Sequence, residues 1–72
     1  MAKRPNIIPK APLARILLYA GAKRVSAQAA ETFAEVLEAR TEVIAQQAAK
    51  IARHAGRKTV HEEDIKLAAK QP

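Results

Sequence analysis

The sequence has no cysteine, no tryptophan, two glycines, one tyrosine and one phenylalanine in 72 residues. Without cysteine there is neither a disulfide nor a thiolate metal site, and two histidines alone make a poor zinc site. Aromatics amount to 3 %, too few for the stacking platforms that hold single-stranded nucleic acid. No apolar run approaches the roughly 18 residues that span a bilayer. The start, Met1-Ala2-Lys3-Arg4-Pro5, lacks the apolar stretch of a secretion signal. The expectation is a soluble, intracellular (cytoplasmic) chain with no membrane partner. No glycine-rich phosphate loop and no nucleophile–base arrangement are present, so an enzyme is disfavoured, and neither a cofactor nor a small-molecule substrate is expected. Glu62-Glu63-Asp64 is a carboxylate run, but it opens a helix, where acids suit the dipole.

Small size adds a constraint. A chain this short buries only about 60 % of its unfolded surface, and small scaffolds compensate with disulfides, metals or self-association. Only self-association is left. What the chain has in excess is positive charge: thirteen Lys and Arg against seven Asp and Glu, a net of +6. That balance favours a polyanionic partner.

Residues 1–10 hold Lys3, Arg4 and Lys10 with no acid, and Pro5 and Pro9 discourage helix. They read as a flexible basic arm, either solubilising or DNA-contacting. Residues 11–70 read as the folded domain. Pro12 suits a first helical turn, and Leu13, Ile16, Leu17 and Ala20 fall on one helical face. Gly21 ends this helix and Ser26 caps the next. From Ala27 to Ala55 there is neither Gly nor Pro. Ala30, Phe33, Leu37, Ile44, Ala48, Ile51 and Ala55 form a stripe of near-helical period, with Glu31, Glu35, Glu38, Glu42, Arg40 and Lys50 mostly elsewhere. The spacing predicts one helix of about 40 Å at 1.5 Å per residue. Gly56 stops it, and Thr59 with Glu62 has capping-box spacing for a third helix. The layout is all-α: short, long, short.

The chain also repeats internally. Ala20-Gly21-Ala22-Lys23-Arg24-Val25-Ser26 matches Ala55-Gly56-Arg57-Lys58-Thr59-Val60-His61 at an offset of 35, with alanine, glycine, lysine and valine in the same places. Each copy reads as a helix end, a glycine C-cap, basic residues, a β-branched residue suited to a short strand, and a new helix.

Two helices of roughly ten residues, about 15 Å each, cannot cover the long one, so Phe33, Leu37, Ile44 and Ala48 would stay wet. An exposed apolar patch of this kind marks an interface. Antiparallel crossing of two copies buries it and sets the first loop of one protomer beside the second loop of the other, where Val25 and Val60 would pair. The competing arrangement is a monomeric three-helix bundle. Residues 27–52 hold four Glu against Arg40 and Lys50, a net of −2. Lys23 and Arg24, with Arg53, Arg57 and Lys58, are basic without a neighbouring acid. The dimer would therefore carry a cationic clamp at each end, spaced near one duplex turn of about 34–36 Å. That suits a curved duplex held by its phosphates. Few Asn or Gln accompany these cations, so double-stranded, sequence-independent binding is expected.

At these residues the chain resembles the archaeal histone family. The matching segments are Ala20-Gly21-Ala22-Lys23-Arg24-Val25-Ser26, then Ala52-Arg53-His54-Ala55-Gly56-Arg57-Lys58-Thr59-Val60, then Glu63-Asp64-Ile65-Lys66-Leu67-Ala68. The similarity covers about residues 9–70. It implies a histone fold, a handshake homodimer and a chromatin protein of the nucleoid that wraps and compacts DNA. Arg24 would enter the minor groove, steadied by Thr59 of the partner. Arg15, Lys23, Ser26, Arg57 and Lys58 would contact phosphates, and Arg57 and Asp64 would form an intrachain salt bridge. Ile51, His54, Asp64 and Leu67 would join dimers into larger assemblies, with His54 facing Asp64 of the neighbour. Gly21, Glu35 and Lys66 would sit between stacked layers of a fibre, although a C-cap role explains Gly21 alone. Leu18 and Tyr19 depart from the family's pattern, which places charge there, and the basic arm is longer than is usual. Rival readings are a histone-fold transcription subunit pairing with a different chain (or with paralogous histones), a small RNA-binding protein, and an amphipathic membrane-surface peptide. The last is disfavoured by the alanine-rich stripe and its flanking glutamates.

Overall fold

A computed structural model describes residues 7–70. Three helices follow in order: α1 (Lys10–Tyr19), α2 (Ala27–His54) and α3 (Glu62–Lys70). No strand forms among the described residues, so Val25 and Val60 lie in loops, and the pairing expected of them requires a second copy. α1 begins at Lys10, earlier than the expected boundary, because Pro9 has the extended φ of −66° and ψ of 146° of an N-cap and leaves Pro12 inside the first turn. Lys10 is therefore helical. Residues 1–6 of the expected arm lie outside the described residues.

Both short helix ends are built the same way. At the end of α1 the Ala22 N–H bonds the Leu17 carbonyl at 3.0 Å and the Gly21 N–H bonds the Leu18 carbonyl at 3.1 Å. At the end of α2 the Arg57 N–H bonds Ala52 and the Gly56 N–H bonds Arg53, both at 2.9 Å. Each is a Schellman motif, with a left-handed glycine satisfying the last carbonyls. All four bonds are related by the 35-residue offset of the sequence repeat, which is thus a repeat of backbone geometry. The copies diverge one step later. Ser26 Oγ caps α2 by accepting the Ala29 N–H at 3.0 Å, as its residue type predicts. The corresponding pair, His61 and Asp64, exchanges roles: Asp64 Oδ2 reaches back to accept the His61 N–H at 2.7 Å. The cap of α3 is therefore His61–Asp64. It replaces the expected Thr59–Glu62 pair, because the α3 helix starts two residues later than that pair requires.

The chain divides into two units, Met1–Ala39 and Arg40–Pro72. In the first, the buried residues are Leu13 of α1 and Ala30 and Ala34 of α2. Phe33 and Leu37 are half-buried and Val36 is 56 % exposed. In the second, Ala48, Ala52, Asp64 and Ala68 are buried, Ile44 and Ile51 are half-buried, and Val43 is 57 % exposed. Each unit repeats one pattern. Phe33 follows Ala30, and Ile51 follows Ala48, by three residues, which is about 60° short of a full turn. The single sequence stripe is thus two adjoining strips: small residues covered within the chain, and large ones left partly wet. Ala48 belongs to the covered strip, at 1 % exposure, and is not the wet residue expected. Its methyl is small enough for the chain's own packing to enclose.

The two glycines differ in what they demand. Gly56 has φ +74° and Gly21 has φ +122°, and a methyl built on either meets no atom within 4 Å. Substitution therefore costs backbone strain alone. Gly56→Ala should lose about 1–2 kcal/mol in urea unfolding and Gly56→Asn less, since asparagine tolerates the αL region. At Gly21, whose φ lies beyond αL, asparagine should give no such relief.

Candidate nucleic-acid interface

The cations singled out in the sequence fall into two sets, one in each unit. Arg15 stands on α1, and Lys23, Arg24 and Ser26 follow the Gly21 C-cap. All four are exposed. The Schellman turn fixes the direction of this loop, and Ser26 Oγ, engaged as acceptor by Ala29 N–H, keeps its own O–H as a donor. Four residues at one helix junction can thus supply three positive charges and a hydroxyl to a polyanion.

The second set is built around Arg57. Its Nη1 donates to Asp64 Oδ2 at 2.9 Å and to the Thr59 carbonyl at 3.0 Å, and its Nη2 donates to Asp64 Oδ1 at 2.9 Å. The bidentate pair joins the loop after α2 to the first turn of α3. Asp64 is 3 % exposed, while the Arg57 side chain keeps a third of its surface. The hydrogen bonds from the Arg57 guanidinium and then from the His61 N–H, acting against desolvation, hold the Asp64 carboxyl down at about 2. The same partnership raises the Arg57 guanidinium above its ordinary range. Two consequences follow for the expected roles. Arg57 spends three donors and its charge within the chain, so Lys58 and Thr59, both exposed, are the outward groups of this loop. Asp64 has already accepted three hydrogen bonds, leaving one acceptor position on Oδ1 for any neighbouring His54.

The remaining expected site residues are placed as follows. His54 and Leu67 are exposed and Ile51 is half-buried. Lys66 pairs with Glu62 at 2.9 Å along α3, an exposed i,i+4 pair of small worth. Glu35 and Gly21 are exposed. Sequence reasoning missed Glu38. It was grouped with the outward acids, yet its carboxylate accepts the backbone N–H groups of Ile7 and Ile8. No local pattern signals such a contact, because it joins residues some thirty positions apart. Among the described residues no group of three or more His, Cys, Asp or Glu could hold a metal, and no helix is long and apolar enough to cross a membrane.

Known proteins share much of this sequence. The family model described as histone-like transcription factor (CBF/NF-Y) and archaeal histone matches residues 6–69. One of the two HAN1 archaeal histone relatives of this kind, a HAN1 subunit from Thermococcus zilligii, is 49 % identical over 63 residues, covering 88 % of this chain and 94 % of that protein. The probable archaeal histone 3 of Methanocaldococcus jannaschii is 51 % identical over 61 residues, covering 85 % and 91 %.

The Asp64 carboxyl supplies a pH test. Its folded value of about 2 lies below the ordinary 3.8, so its contribution is complete above the ordinary value and is lost as pH falls from there through about 2. The melting temperature of the wild type should exceed that of Asp64→Asn by a constant margin near neutral pH. The margin should close between about pH 4 and pH 2; a margin unchanged by acid would contradict the assignment.

Proposed function

Since the chain belongs to the family of histone-like transcription factors and archaeal histones and has its all-α histone fold, we propose that two copies form a handshake homodimer that binds and wraps double-stranded DNA without reading its sequence. The observation that carries this reading is the pattern repeated in both units: α2 keeps its alanines covered and its large side chains, Phe33, Leu37 and Ile44, partly in water. A second copy offers the same strip in return, as a two-fold interface requires.

In that dimer the loop holding Lys23, Arg24 and Ser26 meets the partner's loop holding Lys58 and Thr59. Arg24 reaches into the minor groove with Thr59 beside it, and Arg15, Lys23, Ser26 and Lys58 take phosphates. Arg57 chiefly braces the loop. The absence of a base-reading set makes DNA flexibility the source of any preference. Dimers would then join through Ile51, His54, Leu67 and the remaining acceptor of Asp64, and extend along DNA into fibres whose layers meet near Gly21, Glu35 and Lys66. The site of action is the chromosome, in the cytoplasm. The basic residues ahead of α1 would add phosphate contacts.

A second reading is a heterodimer with a related chain, as in a transcription factor built from unlike chains. It draws on the family's description, which names transcription factors, and on a relative whose name makes it one subunit of HAN1. Native mass spectrometry of the protein expressed alone separates the two: a folded dimer favours the first, a monomer the second.

Duplex binding across a salt series is the direct test. Each phosphate contact contributes about 0.9 to the slope of log affinity against log salt, and each residue counts twice in a homodimer. Lys23→Ala should make the slope shallower by about two, while Phe33→Asp should abolish both the dimer and binding. Nuclease digestion of reconstituted complexes should give protected lengths growing in regular steps, shortened by His54→Ala. A wild-type protein that leaves duplex DNA unprotected at low salt would refute the proposal.

A further inference from the structure

Glu38 is half-buried, in contrast to the exposed Glu31 and Glu35 earlier on the same helix. Its Oε2 accepts two consecutive backbone N–H groups, those of Ile7 and of Ile8, the second at 3.3 Å. These amides lie just ahead of a helix end that has no capping chemistry of its own. The N-cap of α1 is Pro9, with no side-chain cap hydrogen bond, and the first turn contains no acid.

A helix leaves its first four N–H groups without intrahelical partners. In α1 two of the four do not exist, because Pro9 and Pro12 carry no N–H, and the other two, on Lys10 and Ala11, belong to exposed residues that water can reach. The chain immediately upstream is what Glu38 holds, and its negative charge stands beside the positive end of the helix dipole. Ile8 and Leu13, half-buried and buried, occupy the N′ and N4 positions of a hydrophobic staple. A ten-residue helix is too short to persist in water unaided, so its first turn depends on these tertiary contacts.

The geometry points to Glu38 as a positioning residue for the duplex contact: it anchors the chain ahead of α1, so that Lys10 and Arg15 are presented from a fixed base. The inference rests on the DNA-binding reading above. It makes a prediction of unusual sign. Removing an acid from a cationic protein should by simple electrostatics tighten its hold on a polyanion. If Glu38 positions the cations of α1, its removal weakens that hold instead.

Hydrogen exchange and duplex binding test the two halves together on the full chain. In Glu38→Ala the amides of Ile7 and Ile8 should exchange at least about tenfold faster while Ala34 and Ala52 stay protected, and duplex affinity should fall with a salt slope shallower by about two, one lost contact per chain. Glu38→Gln keeps an oxygen acceptor and should restore most of both, which also serves if the alanine variant fails to fold. Unchanged exchange at Ile7 and Ile8 overturns the anchor. Faster exchange with equal or tighter binding overturns the positioning role. A wild-type protein that binds no duplex removes the proposed function and the positioning role with it, while exchange still decides whether Glu38 is an anchor.

Discussion

A 28-residue helix flanked by helices of ten and nine residues confronts a packing shortage. The short helices bring little apolar surface, and what becomes buried is small: Leu13 and five alanines, along with one carboxylate. Phe33, Leu37, Ile44 and Ile51 are only half covered, and Val36 and Val43 are mostly open. No large side chain is fully buried among the described residues. Hydrophobic stabilisation scales with apolar area removed from water, at about 25 cal/mol per Å², so the surface still available is where a partner chain has most to contribute. The proposed dimer, and the loop pairing that depends on it, both start from this shortage.

The two helix junctions show how one backbone device serves different chemistry. Both end a helix with a Schellman glycine, which reverses the chain within a few residues and leaves the basic loop outside. The first junction is closed by a neutral serine cap, and its cations stay outward. The second places arginine where the first has Ala22, and aspartate where the first has Ala29. That exchange turns a simple cap into a buried charge pair: Asp64 receives the Arg57 guanidinium and the His61 amide at once. A carboxylate at 3 % exposure is tolerable only with such partners. The result is a loop whose shape is held by side chains as well as by the backbone, with Lys58 and Thr59 carried on its outer edge.

The charge distribution follows the same division. Acids on α2 and in the first turn of α3 sit where they satisfy helix ends or pair along the helix, as Glu62 does with Lys66. The exposed cations are concentrated at the junctions and at the start of α1. A surface of this kind attracts a polyanion without needing a shaped pocket, which fits backbone recognition better than base reading.

Much of this was legible in the residues alone. Helix placement came through because its signals are local: proline at a helix start, serine at a cap, glycine at a C-cap, and apolar spacing between them. The Schellman pair was visible as a repeat, since both glycines fall in equivalent positions. Three features were not legible, and each depends on atoms far apart in sequence. Glu38 looks like any outward acid until the chain ahead of α1 arrives to meet it. Ala48 looks like part of one apolar stripe until packing divides that stripe into covered alanines and uncovered larger residues. The α3 cap moved from Thr59–Glu62 to His61–Asp64 because Asp64, already fixed by Arg57, could also take the amide that begins the helix. Periodicity and capping preferences are properties of neighbouring residues, whereas the burial of a given side chain and the partner of a given carboxylate depend on which surfaces the fold brings within a few ångströms.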